Sequence, residues 1–181
     1  MGIPKTVAIF GNRFVLMIDN YRIMPLHVDH LDAVWAIEKV AHSHPWSESM
    51  IRDLSHQNSP NSSKYQFGLW TDEQLAGYVY SQNVVGEVTL LTIAVAPNQQ
   101  GKGYGRKLLE HLIDHSEASK AESIWLEVRE SNRGAYQLYD ALGFNEIDRR
   151  VNYYPSTSSK NGKEDAIIMN LMLDDDFNPF A

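Results

Sequence analysis

The chain has 181 residues, of which 43% are hydrophobic and 10% aromatic, with no cysteine and a formal net charge of −7 at pH 7. That is enough for one domain with a sizeable core, and it excludes a disulfide scaffold, a thiolate metal site and a cysteine nucleophile. The negative balance argues against unaided binding to nucleic acid and suits a basic partner. With no apolar run long enough for a membrane span and no legible signal peptide, a cytoplasmic protein without membrane association is expected.

In chain order, VAIF and FVLMI on either side of Gly11 and Asn12 predict a hairpin, an N-terminal extension over residues 1–20. A short strand follows from Tyr21 to Met24. Leu31, Val34, Trp35, Ile37 and Val40 give a helical face between Val28 and Ala41, and Ser47 is placed to cap a second helix running to about Ser55. QNSPNSSK is a loop. Strands are expected over Tyr65 to Trp70, Leu75 to Gln82, Glu87 to Val95 and Ser123 to Val128. A helix ends near Ser119, and another spans Arg133 to Leu142 with Gly143 as its stop. Two last strands, near Asn145 to Tyr153 and Ala166 to Leu173, complete a domain over residues 21–173, and the acidic tail 174–181 is expected to be mobile. This order gives an α/β fold with a mixed, mostly antiparallel central sheet flanked by helices.

The most informative stretch is VTLLTIAVAPNQQGKGYGRKLLEHLI, from Val88 to Ile113. A buried strand ends at Pro97, a helix begins with the stripe of Leu108, Leu109, Leu112 and Ile113, and QQGKGYG lies between them. Glycines let the backbone approach a ligand, and the first turn of a helix has unpaired N–H groups that suit phosphate. Lys102, Arg106 and Lys107 add local positive charge. The spacing is neither a Walker loop nor a dinucleotide fingerprint. The remaining pattern is Q-x-x-G-x-G on Gln100, Gly103 and Gly105, which resembles the acetyl-CoA pyrophosphate loop of GNAT acetyltransferases.

Acyl transfer to an amine needs a base for the ammonium and an acid for the leaving thiolate. Glu127 lies late in a strand beside Trp125 and Leu126, where burial would make it a stronger base; pairing with Arg129 or another cation at the sheet end is an equal reading. Tyr139 faces inward from the next helix and is either a proton donor or a core tyrosine. Asn132 is either the N-cap of that helix or a cofactor contact. His111 and His115 are four apart without the zincin glutamate, and His42 and His44 lack a third ligand, so no metal site is expected.

Taken with AHSHPWSE, WLEVRESN, LYDALGF, RRVNYYP and EDAIIM, the chain from about Tyr21 to Leu173 resembles the ribosomal-protein alanine N-acetyltransferases of the GNAT superfamily. The resemblance implies acetyl-CoA as co-substrate, Glu127 as general base and Tyr139 as general acid. It places Ile93, Ala94, Val95, Gly101, Lys102, Gly103, Tyr104, Gly105, Arg106 and Asn132 at the acetyl-CoA. The implied acceptor is a basic protein N-terminus, the N-terminal alanine of small-subunit ribosomal protein eighteen. It also places Tyr153, Tyr154 and Glu164 near the acceptor groove, where structural roles at the sheet end compete. Other acceptors, such as a lysine or a polyamine, and a non-catalytic acyl-CoA-binding module, are the alternatives.

Overall fold

A computed structural model describes residues 5–10, 13–18, 21–55, 63–157 and 161–173. The acidic tail 174–181 and most of the QNSPNSSK stretch lie outside them. Strands β1 (Lys5–Phe10) and β2 (Arg13–Ile18) pair antiparallel, with Phe10 opposite Arg13. The rest of the described chain builds a seven-stranded sheet. Its strands are β3 (Tyr21–Pro25), β4 (Lys64–Thr71), β5 (Gln74–Val84), β6 (Glu87–Val95), β7 (Ser123–Arg129), β8 (Asn145–Pro155) and β9 (Lys163–Met172). Their spatial order is β3-β4-β5-β6-β7-β9-β8, antiparallel throughout except for the parallel pair β6 and β7.

Helices cover both faces. On one side α1 (Leu31–Ala41) and α2 (Glu48–Ser55) pack Leu31, Val34, Ile37 and Ile51 against Tyr78, Tyr80 and Ala94. On the other, α3 (Tyr104–Ala118) and α4 (Arg133–Asp140) bury Leu108, Leu109, Leu112 and Tyr139 with Val79, Val88, Ile124, Leu126 and Val128. Strand β5 is therefore apolar on both faces, as a strand between two helical layers must be. Ser47 caps α2 as its position suggests, its Oγ accepting the Met50 N–H at 3.2 Å.

The apolar face of α1 departs from the sequence reading in one place. Val40 is exposed, and Glu38 is buried in the stripe with Leu31, Val34 and Ile37. At 3.6 residues per turn, position 40 sits roughly 180° from position 31, whereas position 38 nearly eclipses it. The helix geometry, rather than residue type, decides which side chain faces the sheet.

The feature that makes room for a site is the parting of β6 from β7. Their pairing runs only over Glu87 with Ser123, Val88 with Ile124 and Thr89 with Trp125. Immediately beyond, β6 carries an extra residue: Tyr80 opposes Thr92 and Ser81 opposes Leu90, so Leu91 is a bulge. A bulge bends its strand and increases the local twist. Among the described residues, the edge of β6 facing β7 has no strand partner from Leu90 to Val95.

Candidate active site

The gap between the parted strands is a cavity of about 220 Å³. Leu90 to Ile93 form one wall and Glu127 to Arg129 the other; Asn132 just before α4, and Ala135 and Tyr139 on it, line the cavity, and Tyr154 closes that side. The opposite end is lined by Glu38, His42, His44 and Trp46, so the opening passes from one helical layer to the other through the sheet. Glu127, Tyr139, Asn132 and Ile93, which sequence reasoning nominated separately, thus share one cavity.

Strand alternation sends Ile124, Leu126 and Val128 into the core and Glu127 to the other face. Glu127 is not buried: its side chain is 31% exposed and forms an ion pair with Arg150, Oε1 lying 2.9 Å from Nη1. The enclosure anticipated from Trp125 and Leu126 is not found: Leu126 turns into the core, and Trp125, on the same face as Glu127, donates its Nε1–H to Ser123 Oγ at 3.0 Å. Arg150 in turn lies over the Tyr153 ring, 5.2 Å from its centroid. Arg129 is engaged elsewhere, donating to Glu164 Oε1 at 2.8 Å and to the Pro155 carbonyl at 2.9 Å.

Tyr139 is held in the core by Phe144, with ring centroids 5.8 Å apart. Burial, with a smaller contribution from Tyr154, raises its phenol above the ordinary value. A proton is therefore secure on that oxygen at neutral pH, as a donor requires. Asn132 is the cap of α4, its Oδ1 accepting from Ala135 N–H at 3.2 Å, and it also lines the cavity. Glu164 is tied to Arg129 and to the Ser131 N–H at 3.1 Å, which fixes the start of α4 against β9. Of the three groove candidates, Tyr154 reaches the cavity, with the Arg129 guanidinium 4.2 Å from its ring centroid. Tyr153 and Glu164 are not among its lining residues.

The glycine loop follows the open end of β6. Gly101 and Gly103 have φ of +76° and +82°, and a Cβ at either would meet nothing within 4 Å. The loop therefore uses glycine for its left-handed turns, and the space beside both is free for a ligand. Gln100 Nε2 donates to the Val95 carbonyl at 3.0 Å, folding the loop back on the strand. No side chain caps α3 at Gly103, so the amides of its first turn, from Tyr104 onward, remain available to an anion. Lys102 and Arg106 flank them, Lys102 donating to Gln99 Oε1 at 2.7 Å and Arg106 lying 3.8 Å from Glu110. These features fit a pyrophosphate.

Sequence reasoning passed over Glu38. It is 1% exposed and accepts from Trp46 N–H at 2.7 Å and from the Tyr78 hydroxyl, with His42 Nε2 at 3.4 Å. Burial and this carboxylate hold the Tyr78 phenol far above its ordinary value, so it keeps the proton that it donates to Glu38. The signal was present in α1, where Glu38 falls on the apolar stripe. Among the described residues no group of three or more His, Asp or Glu is arranged to hold a metal. His111 and His115 instead pack edge-on against Phe67, with centroids 4.6 and 4.9 Å away.

Comparison with known proteins bears on the family and the fold. The acetyltransferase (GNAT) family profile matches residues 31–144. The chain is 44% identical over 151 residues to the [ribosomal protein bS18]-alanine N-acetyltransferase of Escherichia coli K12, covering 83% of this chain and 97% of that protein. The corresponding protein of Haemophilus influenzae is 38% identical over 138 residues, covering 76% and 89%. In three dimensions the crystal structure of the ribosomal-protein-S18-alanine N-acetyltransferase from Escherichia coli superposes with a TM-score of 0.78 at 41% identity, covering 87% of this chain and 99% of that one. The chain therefore belongs to the acetyltransferase (GNAT) family, among its RimI-type alanine N-acetyltransferases.

Proposed function

We propose that this protein transfers an acetyl group from acetyl-CoA to the α-amine of a protein N-terminus in the cytoplasm, its acceptor being the N-terminal alanine of ribosomal protein bS18. The observation that carries this reading is the meeting of Glu127, Tyr139 and Asn132 in a cavity between parted strands, beside a glycine loop open to an anion. Near-complete coverage of the bS18-specific relatives supports the choice of acceptor.

The co-substrate supplies the activated acetyl group. The amides and cations of Gly101 to Arg106 hold its pyrophosphate, and its chain runs along the open edge of β6 over Ile93 to Val95, where Gln100 already occupies the Val95 carbonyl. Glu127 takes a proton from the entering ammonium, directly or through water, once the amine replaces Arg150 beside it. Tyr139 delivers a proton to the departing sulfur, and Asn132 keeps α4 in register with the cavity. An α-amine of pKa 7.7 to 8.0 is about a quarter neutral at pH 7.4, whereas a lysine near 10.4 is neutral about once in a thousand. An accessible carboxylate is adequate for the first and weak for the second. That difference favours the N-terminal acceptor over a lysine or a polyamine.

The test is incubation of the purified protein with acetyl-CoA and a basic peptide beginning Ala-Arg, following peptide mass and CoA release together. One acetyl group on the α-amine, and none when that amine is blocked beforehand, is the expected result. Equal acetylation of the blocked peptide at a lysine would move the acceptor assignment. No CoA release with any amine would leave a non-catalytic acyl-CoA-binding module.

A further inference from the structure

The cavity has two acidic walls, and the reading above uses only one of them. Glu38 is a fully buried carboxylate at the far end, and its oxygens are divided between distinct tasks. Oε1 accepts from the backbone N–H of Trp46 at 2.7 Å, fixing the segment between α1 and α2. Oε2 accepts from the Tyr78 hydroxyl on β5 and faces His42 Nε2 at 3.4 Å. Thr92 Oγ1, on the bulged part of β6, lies 3.4 Å from the same nitrogen. A carboxylate can only accept, so it favours the tautomer with the proton on the His42 nitrogen turned toward it. In the neutral ring that leaves the lone pair on Nδ1. His42 is 33% exposed and lines the cavity.

We propose that Glu38 is a positioning residue and His42 a contact of the acceptor amine: the buried carboxylate holds the imidazole with Nε2–H turned inward and keeps the Nδ1 lone pair for an N–H of the incoming primary amine. This rests on the acetyl-acceptor reading and deepens it. Glu38 thereby fixes both the tautomer of His42 and the position of the Trp46 wall, so the amine is met by an acceptor of hydrogen bonds on the side away from Glu127. A buried carboxylate whose partners lie on β5 and on the segment joining α1 to α2 is costly to place. At this position it gives the far wall a negative potential suited to an ammonium.

Three variants separate this from a purely structural role. In Glu38→Gln the amide keeps the size of the side chain and Oε1 still receives Trp46, but its NH2 donates to His42 Nε2 and drives the ring proton to Nδ1. The expected result is a change in the His42 tautomer read by 15N NMR and a rise of about tenfold or more in peptide KM, with unchanged acetyl-CoA affinity. His42→Asn places an oxygen where Nδ1 stands, and His42→Gln places an amide N–H where Nε2 stands. The proposal requires His42→Asn to retain more peptide affinity than His42→Gln; bracing of Glu38 alone requires the reverse order. Wild-type protein that acetylates the peptide, with His42→Gln better than His42→Asn, overturns this proposal alone, as does a wild-type ring carrying its proton on Nδ1. Wild-type protein that acetylates no amine overturns the underlying reading, and this inference falls with it. If Glu38→Gln does not fold, the order of the two His42 variants decides.

Discussion

Replacing Glu127 by glutamine removes a proton acceptor while keeping shape and most hydrogen-bonding capacity. General base catalysis contributes about 10²- to 10⁴-fold. Two features of the site select the lower end. The carboxylate is 31% exposed and already shares its charge with Arg150 at 2.9 Å, and the α-amine it serves needs little help. Deprotonating a group of pKa about 7.9 at pH 7.4 costs only about 0.7 kcal/mol. A fall in kcat of about 10²-fold, equivalent to about 2.7 kcal/mol, is therefore expected for Glu127→Gln, with acetyl-CoA affinity unchanged. CoA release should be followed with the Ala-Arg peptide between pH 7 and 9. Over that range the free amine becomes almost wholly neutral, so the deficit of the variant should narrow. Turnover within threefold of wild type at pH 7 would refute the assignment of Glu127 as base. A loss of the same size that persists unchanged to pH 9 would refute the reason given for its modest magnitude.

Tyr139→Phe keeps the packing against Phe144 and removes only the hydroxyl; kcat should fall about 10²-fold or more while the melting temperature, followed by circular dichroism, stays close to wild type. Gly103→Val puts a branched side chain at φ +82° beside the open start of α3; calorimetry should show at least about tenfold weaker acetyl-CoA binding, from strain and from occupation of the ligand's space. The His111 and His115 pair should make stability fall on acidification. Burial lowers both below the ordinary value of 6.5, with mutual repulsion adding at His111. The unfolded chain then binds more protons than the folded one as pH falls through that value, so stability is full above it and is lost below it. The melting temperature should drop between pH 7.5 and 5.5, and drop less in His111→Gln; identical slopes would remove the pair as the cause.

Local signals carried much of the fold. The strand, loop and helix from Glu87 to Ala118 were legible because β-branched residues, a proline and glycines change over within a few positions. The Ser47 cap was legible for the same reason. What sequence did not disclose depends on partners distant in the chain. The pairing of Arg150 with Glu127, in place of Arg129, is set by the register of β7 and β8 on either side of β9. The Leu91 bulge has no residue signature, since it exists only relative to β5. Glu38 was hidden differently: the pattern of α1 was read from apolar residues alone, so an acid on the same face did not count.

The parting of β6 and β7 has a bearing on how such a protein can change its acceptor. The frame of the passage is main chain, and its span depends on how many residues β6 spends opposite β5. Substitutions at its rim, such as His42, His44 or Tyr154, alter the chemistry met by an entering amine without altering that span. The aperture is therefore a fixed gauge, and selectivity is written on its border.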